Sequence, residues 1–162
     1  MRKRKKEKER GVTLLELLTV IVIIGIMASI ALPRFARTLP GLRLKSDTKG
    51  IASTMRLARM KAVAERRVHG LYFDDTSSPQ RFVFFKDLDS DEAYSSSQDS
   101  AIFTWEFYKT TNYQNIALPN KAVVFRSNGS SNGGRVSLVT QSCSDSMAVD
   151  VLPSTGRVKM IR

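Results

Sequence analysis

The sequence predicts an α+β fold: a long N-terminal helix, membrane-spanning in its first half and amphipathic in its second, packed on an antiparallel β-sheet domain. Three observations predict it. A nearly unbroken apolar run extends from Val12 to Leu32, and apolar and small residues then recur every three or four positions as far as His69. From Gly70 onward, short β-branched and aromatic segments alternate with turn formers. The chain therefore divides into a leader (1–11), a span (12–32), a second helical half with a break near 40–41 (33–69) and a β-rich domain (70–162).

The 21 residues from Val12 to Leu32 would form a helix roughly 31 Å long at about 1.5 Å per residue, the thickness of a bilayer core. Only Glu16 is charged within it. The first ten residues hold seven Lys or Arg against two Glu, which keeps the amino end in the cytoplasm and sends the rest of the chain across. A carboxylate inside such a helix costs roughly 2.5 to 3.5 kcal/mol on insertion scales, so Glu16 needs a pairing or functional reason. A cut between Gly11 and Val12 would leave a new amine about one turn from that carboxylate.

Pro33 follows the span and should kink or end the helix, and Pro40-Gly41 repeats the interruption. From Leu42 to His69 the period is helical again, with Leu44, Thr48, Ile51, Met55, Ala58 and Ala62 on the face that should meet a sheet. The opposite face carries Lys45, Lys49, Arg56, Arg59, Lys61, Arg66 and Arg67. Gly70 is the expected helix stop and His69 a helix-end residue. Strands are expected over 71–74, 81–86, 102–108, 122–126, 135–140, 147–152 and 157–161, with hairpin turns at 128–134 and 154–156. The serine-rich stretch 95–98 reads as a loop.

Charge is segregated along the chain. The leader carries +5 of the formal +11, leaving +6 from Val12 onward. Residues 33–70 hold ten bases against two acids, and residues 71–110 hold three against eight. Cys143 is the only cysteine, which excludes a disulfide within the chain and any zinc spacing, and it reads as a small buried hydrophobe. The single His69 is too little for a nucleophile-base pair or a multi-histidine metal site. Asp87, Asp89 and Asp91 alternate as the opening of a calcium loop does, but no Gly follows and Gln98 stands where the bidentate Glu belongs. A solvated acidic loop is the simpler reading.

The leader ending in Gly11, the run Val12-Thr13-Leu14-Leu15-Glu16 and the apolar stretch to Leu32-Pro33 resemble the class III signal of type IV pilins and type II secretion pseudopilins. The resemblance implies that a prepilin peptidase cuts between Gly11 and Val12, that Val12 is N-methylated, and that Glu16 guides helix docking in filament assembly. Further along, Met55-Arg56-Leu57-Ala58-Arg59-Met60-Lys61-Ala62, then Val124-Phe125-Arg126-Ser127-Asn128-Gly129, then Thr155-Gly156-Arg157-Val158-Lys159, resemble in their order the signatures of GspH/FimT-type minor pseudopilins. That implies a type IV pilin-like fold and a structural subunit, with no catalytic residues and no cofactor, at or near the tip of a periplasmic pseudopilus of a type II secretion system. Its partners would be the peptidase, other pseudopilins through the N-terminal helix, the bacterial inner membrane and exported protein cargo. An alternative is a type IV pilus minor pilin that binds DNA for uptake through Arg157 and Lys159, which strand alternation would place on one face. The segment from Asp74 to Asn120 carries no motif of either.

An ordinary signal peptide cleaved after Ser29-Ile30-Ala31, or an uncleaved anchor, would share the basic start and apolar run. Intact mass of the membrane-extracted chain separates the three: the expected species begins at Val12, against Leu32 for an ordinary signal peptide and Met1 for an uncleaved anchor.

Overall fold

The computed structural model describes residues 12–141 and 143–162. The leader with Gly11, and the side chain of Cys143, lie outside the described residues. Contacts divide the chain into two units, one ending at Arg37 and one beginning at Thr38, and each is taken by itself.

Helix α1 (Leu14–Glu65) is long and apolar enough to cross a membrane. In the first unit its side chains are almost all exposed, with Leu14 at 82%, Met27 at 67% and Phe35 at 66%. Its hydroxyls are satisfied within the helix, as a lipid environment requires: Thr19 donates to the Glu16 carbonyl at 2.8 Å and Ser29 to that of Ile26 at 2.7 Å. The breaks expected at Pro33 and at 40–41 do not occur, because α1 runs through both. Proline's fixed φ is itself helical, so a helix can pass through a proline at the cost of one backbone bond and of crowding against the preceding turn. Pro40 is also buried, and packing offsets that loss.

In the second unit the expected helix face is the buried one: Leu44, Thr48, Ile51, Met55, Ala58 and Ala62 are all covered. α1 stops at Glu65, and Arg66 takes φ 50°, the left-handed turn that ends many helices. Gly70 is therefore not the stop. It lies inside β1 (His69–Asp74), where a Cβ would come within 2.8 Å of Phe85, the Val123 carbonyl and Val124. His69 begins that strand and is buried.

The remaining strands are β2 (Arg81–Lys86), β3 (Ser100–Glu106), β4 (Thr111–Ala117), β5 (Ala122–Phe125), β6 (Gly134–Thr140), β7 (Cys143–Val151) and β8 (Val158–Ile161). They form two antiparallel four-stranded sheets, ordered β3-β2-β1-β5 and β4-β6-β7-β8. β4 was not expected. Its sequence Thr-Asn-Tyr-Gln-Asn-Ile-Ala has little apolar content, and tertiary contacts recruit it. The Tyr113 N–H donates to Gln80 Oε1 at 2.6 Å, its hydroxyl donates to the Arg81 carbonyl at 2.9 Å, and its ring meets Phe73 and Phe107.

One core joins α1 to the inner faces of both sheets through Leu71, Phe73, Phe82, Phe84, Val123 and Phe125 from the first and Val136, Leu138 and Val149 from the second. A smaller cluster of Phe85, Ala122 and Val124 lies on the outer face of the first sheet, under Tyr72 and Tyr94. Burial on both faces explains why β2 and β5 read as continuous apolar runs, Phe-Val-Phe-Phe and Ala-Val-Val-Phe. Each buried phenylalanine contributes roughly 1.5 to 3 kcal/mol.

Two buried carboxylates were not foreseen. Asp47 on α1 is fully covered and accepts the Tyr108 N–H at 3.3 Å; burial pushes its carboxyl up despite that bond. Asp74 ends β1 and organises the following turn. Burial works to raise its carboxyl, but Thr76 and Ser77, through side-chain and backbone donors, and Arg81 at 3.0 Å outweigh it. The net result holds Asp74 well below the usual carboxylate range.

A depressed folded-state pKa contributes stability that is present above the unfolded value near pH 4 and is lost as pH falls below it. Asp74→Asn in the detergent-solubilised chain is expected to cost about 1–2 kcal/mol at pH 7. Urea unfolding of the two proteins should converge as pH drops from about 5 towards 3.

Candidate functional site

The head of α1 is built by its own first residues. Thr13 caps the helix: its Oγ1 accepts the Glu16 N–H at 3.2 Å, and its carbonyl accepts the Leu17 N–H at 3.2 Å. Glu16 thus occupies the third helical position, where a carboxylate is favoured by the free N–H groups and the helix dipole. Val12 lies outside the helix and is 67% exposed. The capping role of Thr13 was legible in its spacing of three from Glu16 and was not drawn from the sequence.

The three motifs of the soluble unit, separated by up to about a hundred residues, meet at one point. Arg59 on α1 donates from Nε to the Gly129 carbonyl at 3.1 Å. Gly129, at φ 80°, closes a tight turn with its N–H on the Arg126 carbonyl at 2.8 Å. Gly156, at φ 60°, packs its Cα against the same Gly129 carbonyl and against Arg59. No Cβ fits there, and the Gly156 N–H is held by the Leu152 carbonyl at 2.8 Å. Beside this junction a groove of about 660 Å³ runs between Arg56, Met60, Val63 and Ala64 of α1 and Arg157 and Val158.

Arg157 and Lys159 were expected to share a face; the two residues border different hollows. Arg157 precedes β8 and borders the groove. Lys159 lies opposite Asp150 across the β7–β8 pair, and Asp150 in turn is opposite Arg135 on β6. Arg135 grips Asp150 through two bonds of 2.5 and 2.8 Å. The Asp150 carboxyl is lowered chiefly by Arg135, with a smaller contribution from Lys159. Lys159 therefore belongs to a cross-strand row of alternating charge.

The acidic loop also rearranges the expected set. Asp99, not Asp91, comes together with Asp87 and Asp89. These oxygens already serve the loop backbone: Asp87 accepts the N–H groups of Ser90 at 2.6 Å and Glu92 at 3.1 Å, and Asp99 those of Leu88 at 3.1 Å and Ser95 at 2.8 Å. Burial pushes the Asp87 carboxyl up, with Asp89 and Asp99 adding to the rise. Glu92 pairs with Arg126 at 2.5 and 2.7 Å, and Tyr94 stacks on Tyr72, so the loop is fastened over the outer face of the first sheet.

Gly156→Ala would drive a methyl group into the Gly129 carbonyl and impose a left-handed φ on a residue with a Cβ. The expected loss is about 2–4 kcal/mol. Thermal unfolding of the solubilised chain checks it, with Thr155→Ala as the control expected to shift little.

Comparison with known proteins bears on the family and the fold. The prokaryotic N-terminal methylation motif matches residues 6–32, and the model of type II transport protein GspH matches residues 47–155. Type II secretion system protein H of Xanthomonas campestris pv. campestris is 30% identical over 151 residues, covering 93% of this chain and 82% of that protein. Among solved structures, the minor pseudopilin EpsH of the type 2 secretion system of Vibrio cholerae superposes with a TM-score of 0.56 at 10% identity, over 74% of this chain and 96% of that one. The type IV minor pilin FimU of Pseudomonas aeruginosa superposes with a TM-score of 0.52 at 13% identity, over 74% and 93%. Likeness at such low identity speaks for the type IV pilin-like fold, while the sequence matches reach further. The chain belongs to the GspH family of type II transport proteins.

Proposed function

We propose that this protein is a minor pseudopilin of a type II secretion system, a structural subunit set at or near the tip of a periplasmic pseudopilus. The observation that carries the reading is the uncovered apolar first part of α1, whose single carboxylate stands at its capped head. Prepilin peptidase cuts between Gly11 and Val12, and Val12 is N-methylated. The leader stays on the cytoplasmic side of the inner membrane and the β-rich domain lies in the periplasm.

Glu16 supplies the reason to assemble. A lone carboxylate in lipid is costly, and a lone ammonium at a processed N-terminus is costly too. When Glu16 faces the terminal amine of a neighbouring subunit, the two desolvated charges neutralise each other. Lateral packing of the helices then becomes the favourable state, and the soluble domains are carried outward to meet other minor subunits or exported cargo.

DNA capture through Arg157 and Lys159 has less support. Lys159 stands in a row with Asp150 and Arg135, so it faces a carboxylate and does not stand as a lone cation beside Arg157.

Deleting the gene in its host is expected to abolish release of exported enzymes and leave uptake of labelled DNA unchanged. Glu16→Ala should be processed to begin at Val12 yet lower enzyme release by about tenfold or more. Normal enzyme release with lost DNA uptake would replace this reading with the pilus one.

A further inference from the structure

The groove beside Gly156 has an apolar floor and a cationic rim. Met60 is 68% exposed and Val63 49%. They lie one turn apart on α1, and Leu57, at 39%, extends the same stripe. Such a run of open apolar surface on the periplasmic half of a helix calls for a partner. At the rim, the side chains of Arg56 and Arg157 have no hydrogen bond or ion pair to any other described residue, and no carboxylate lines the groove.

The complement of this surface is an apolar side chain bracketed by carboxylates. The floor would take the apolar group out of water, and two planar guanidinium forks would meet the acids in a partly desolvated setting. A phosphate backbone would satisfy the arginines and leave Met60 and Val63 uncovered. The acidic loop of a second copy is also a poor complement, because it is engaged within itself. Asp87 and Asp99 accept loop N–H groups, and Glu92 is held by Arg126.

We propose that the groove between α1 and the start of β8 docks an acidic, apolar-bearing segment of a different subunit of the same filament. Arg56 and Arg157 receive its carboxylates, and Met60 and Val63 cover its apolar side chain. Arg59 positions the wall of the groove through its bond to Gly129 and is not itself a docking residue. This inference rests on the reading of the chain as a filament subunit.

The test is site-specific photocrosslinking in host membranes from a photoreactive residue in place of Met60 of the full-length chain. A second variant carries the residue at Ile21, in the membrane-spanning part of α1, and reports incorporation into the filament. The expected result is a Met60 crosslink mapping to an acidic and apolar stretch of another pilin-like subunit. It should fall by about tenfold when Arg56→Glu and Arg157→Glu are combined, and return when the crosslinked carboxylates of the partner are changed to Lys. Both arginines are exposed and unpartnered, so unchanged thermal unfolding of the double variant is expected alongside. A subunit crosslink from Ile21 with none from Met60, or a Met60 crosslink that ignores the charge reversal, overturns the docking proposal and leaves the filament reading standing. A Met60 crosslink to a second copy of this chain assigns the groove to self-association and overturns it too. Absence of subunit crosslinks from both positions overturns the filament reading and this inference with it. Binding of a DNA duplex by the solubilised chain, lost in the double variant, assigns the groove to nucleic acid instead.

Discussion

The bond from Arg59 to the Gly129 carbonyl, with Gly156 pressed against the same oxygen, ties the soluble unit together. It closes a loop of 70 residues between α1 and the turn after β5. The chain entropy of such a closure is substantial, though it grows only slowly with length. Its neighbours depend on it. The turn it holds carries Asn132, whose side chain accepts the Val124 N–H and donates to the Ala122 carbonyl, fastening β5 to the approach of β6. Ser131 in the same turn donates to the Pro153 carbonyl, which fixes the corner between β7 and β8. Helix, first sheet and second sheet are thus referred to a single point, and the two glycines there are required by left-handed φ and close approach together.

The segregation of charge along the chain becomes a difference in how the charges are used. Several carboxylates in the acidic middle of the sequence serve the fold. Asp74 holds the turn after β1, Asp87 and Asp99 hold their own loop, and Glu92 clamps that loop to Arg126. Many of the basic residues on α1 have no such task. Arg56 stands free at the edge of an apolar groove, Arg157 stands free across from it, and only Arg59 among the three is drawn into the fold.

At the N-terminus the logic is that of lipid. The side-chain hydroxyls of Thr13, Thr19 and Ser29 are satisfied by the helix itself, and Glu16 is the one charged side chain of the apolar run. Membrane helices gain little from apolar packing alone, since lipid tails are as apolar as leucine.

The sequence by itself determined the elements whose cause is local or periodic. The apolar span follows from hydropathy and length. The buried face from Leu44 to Ala62 follows from helical spacing, and β2 and β5 from continuous apolar runs. Tertiary structure decided what depends on partners distant in the chain. β4 exists because Tyr113 finds Gln80, Arg81 and Phe73, and nothing in its own composition asks for a strand. α1 passes Pro33 and Pro40, since the φ that proline fixes is a helical one. Gly70 is a contact glycine and not a helix stop, Asp99 replaces Asp91 beside Asp87, and Lys159 sits apart from Arg157. In each case the outcome turned on residues far apart in the chain, since side-chain direction is set by the surface an element is pressed against.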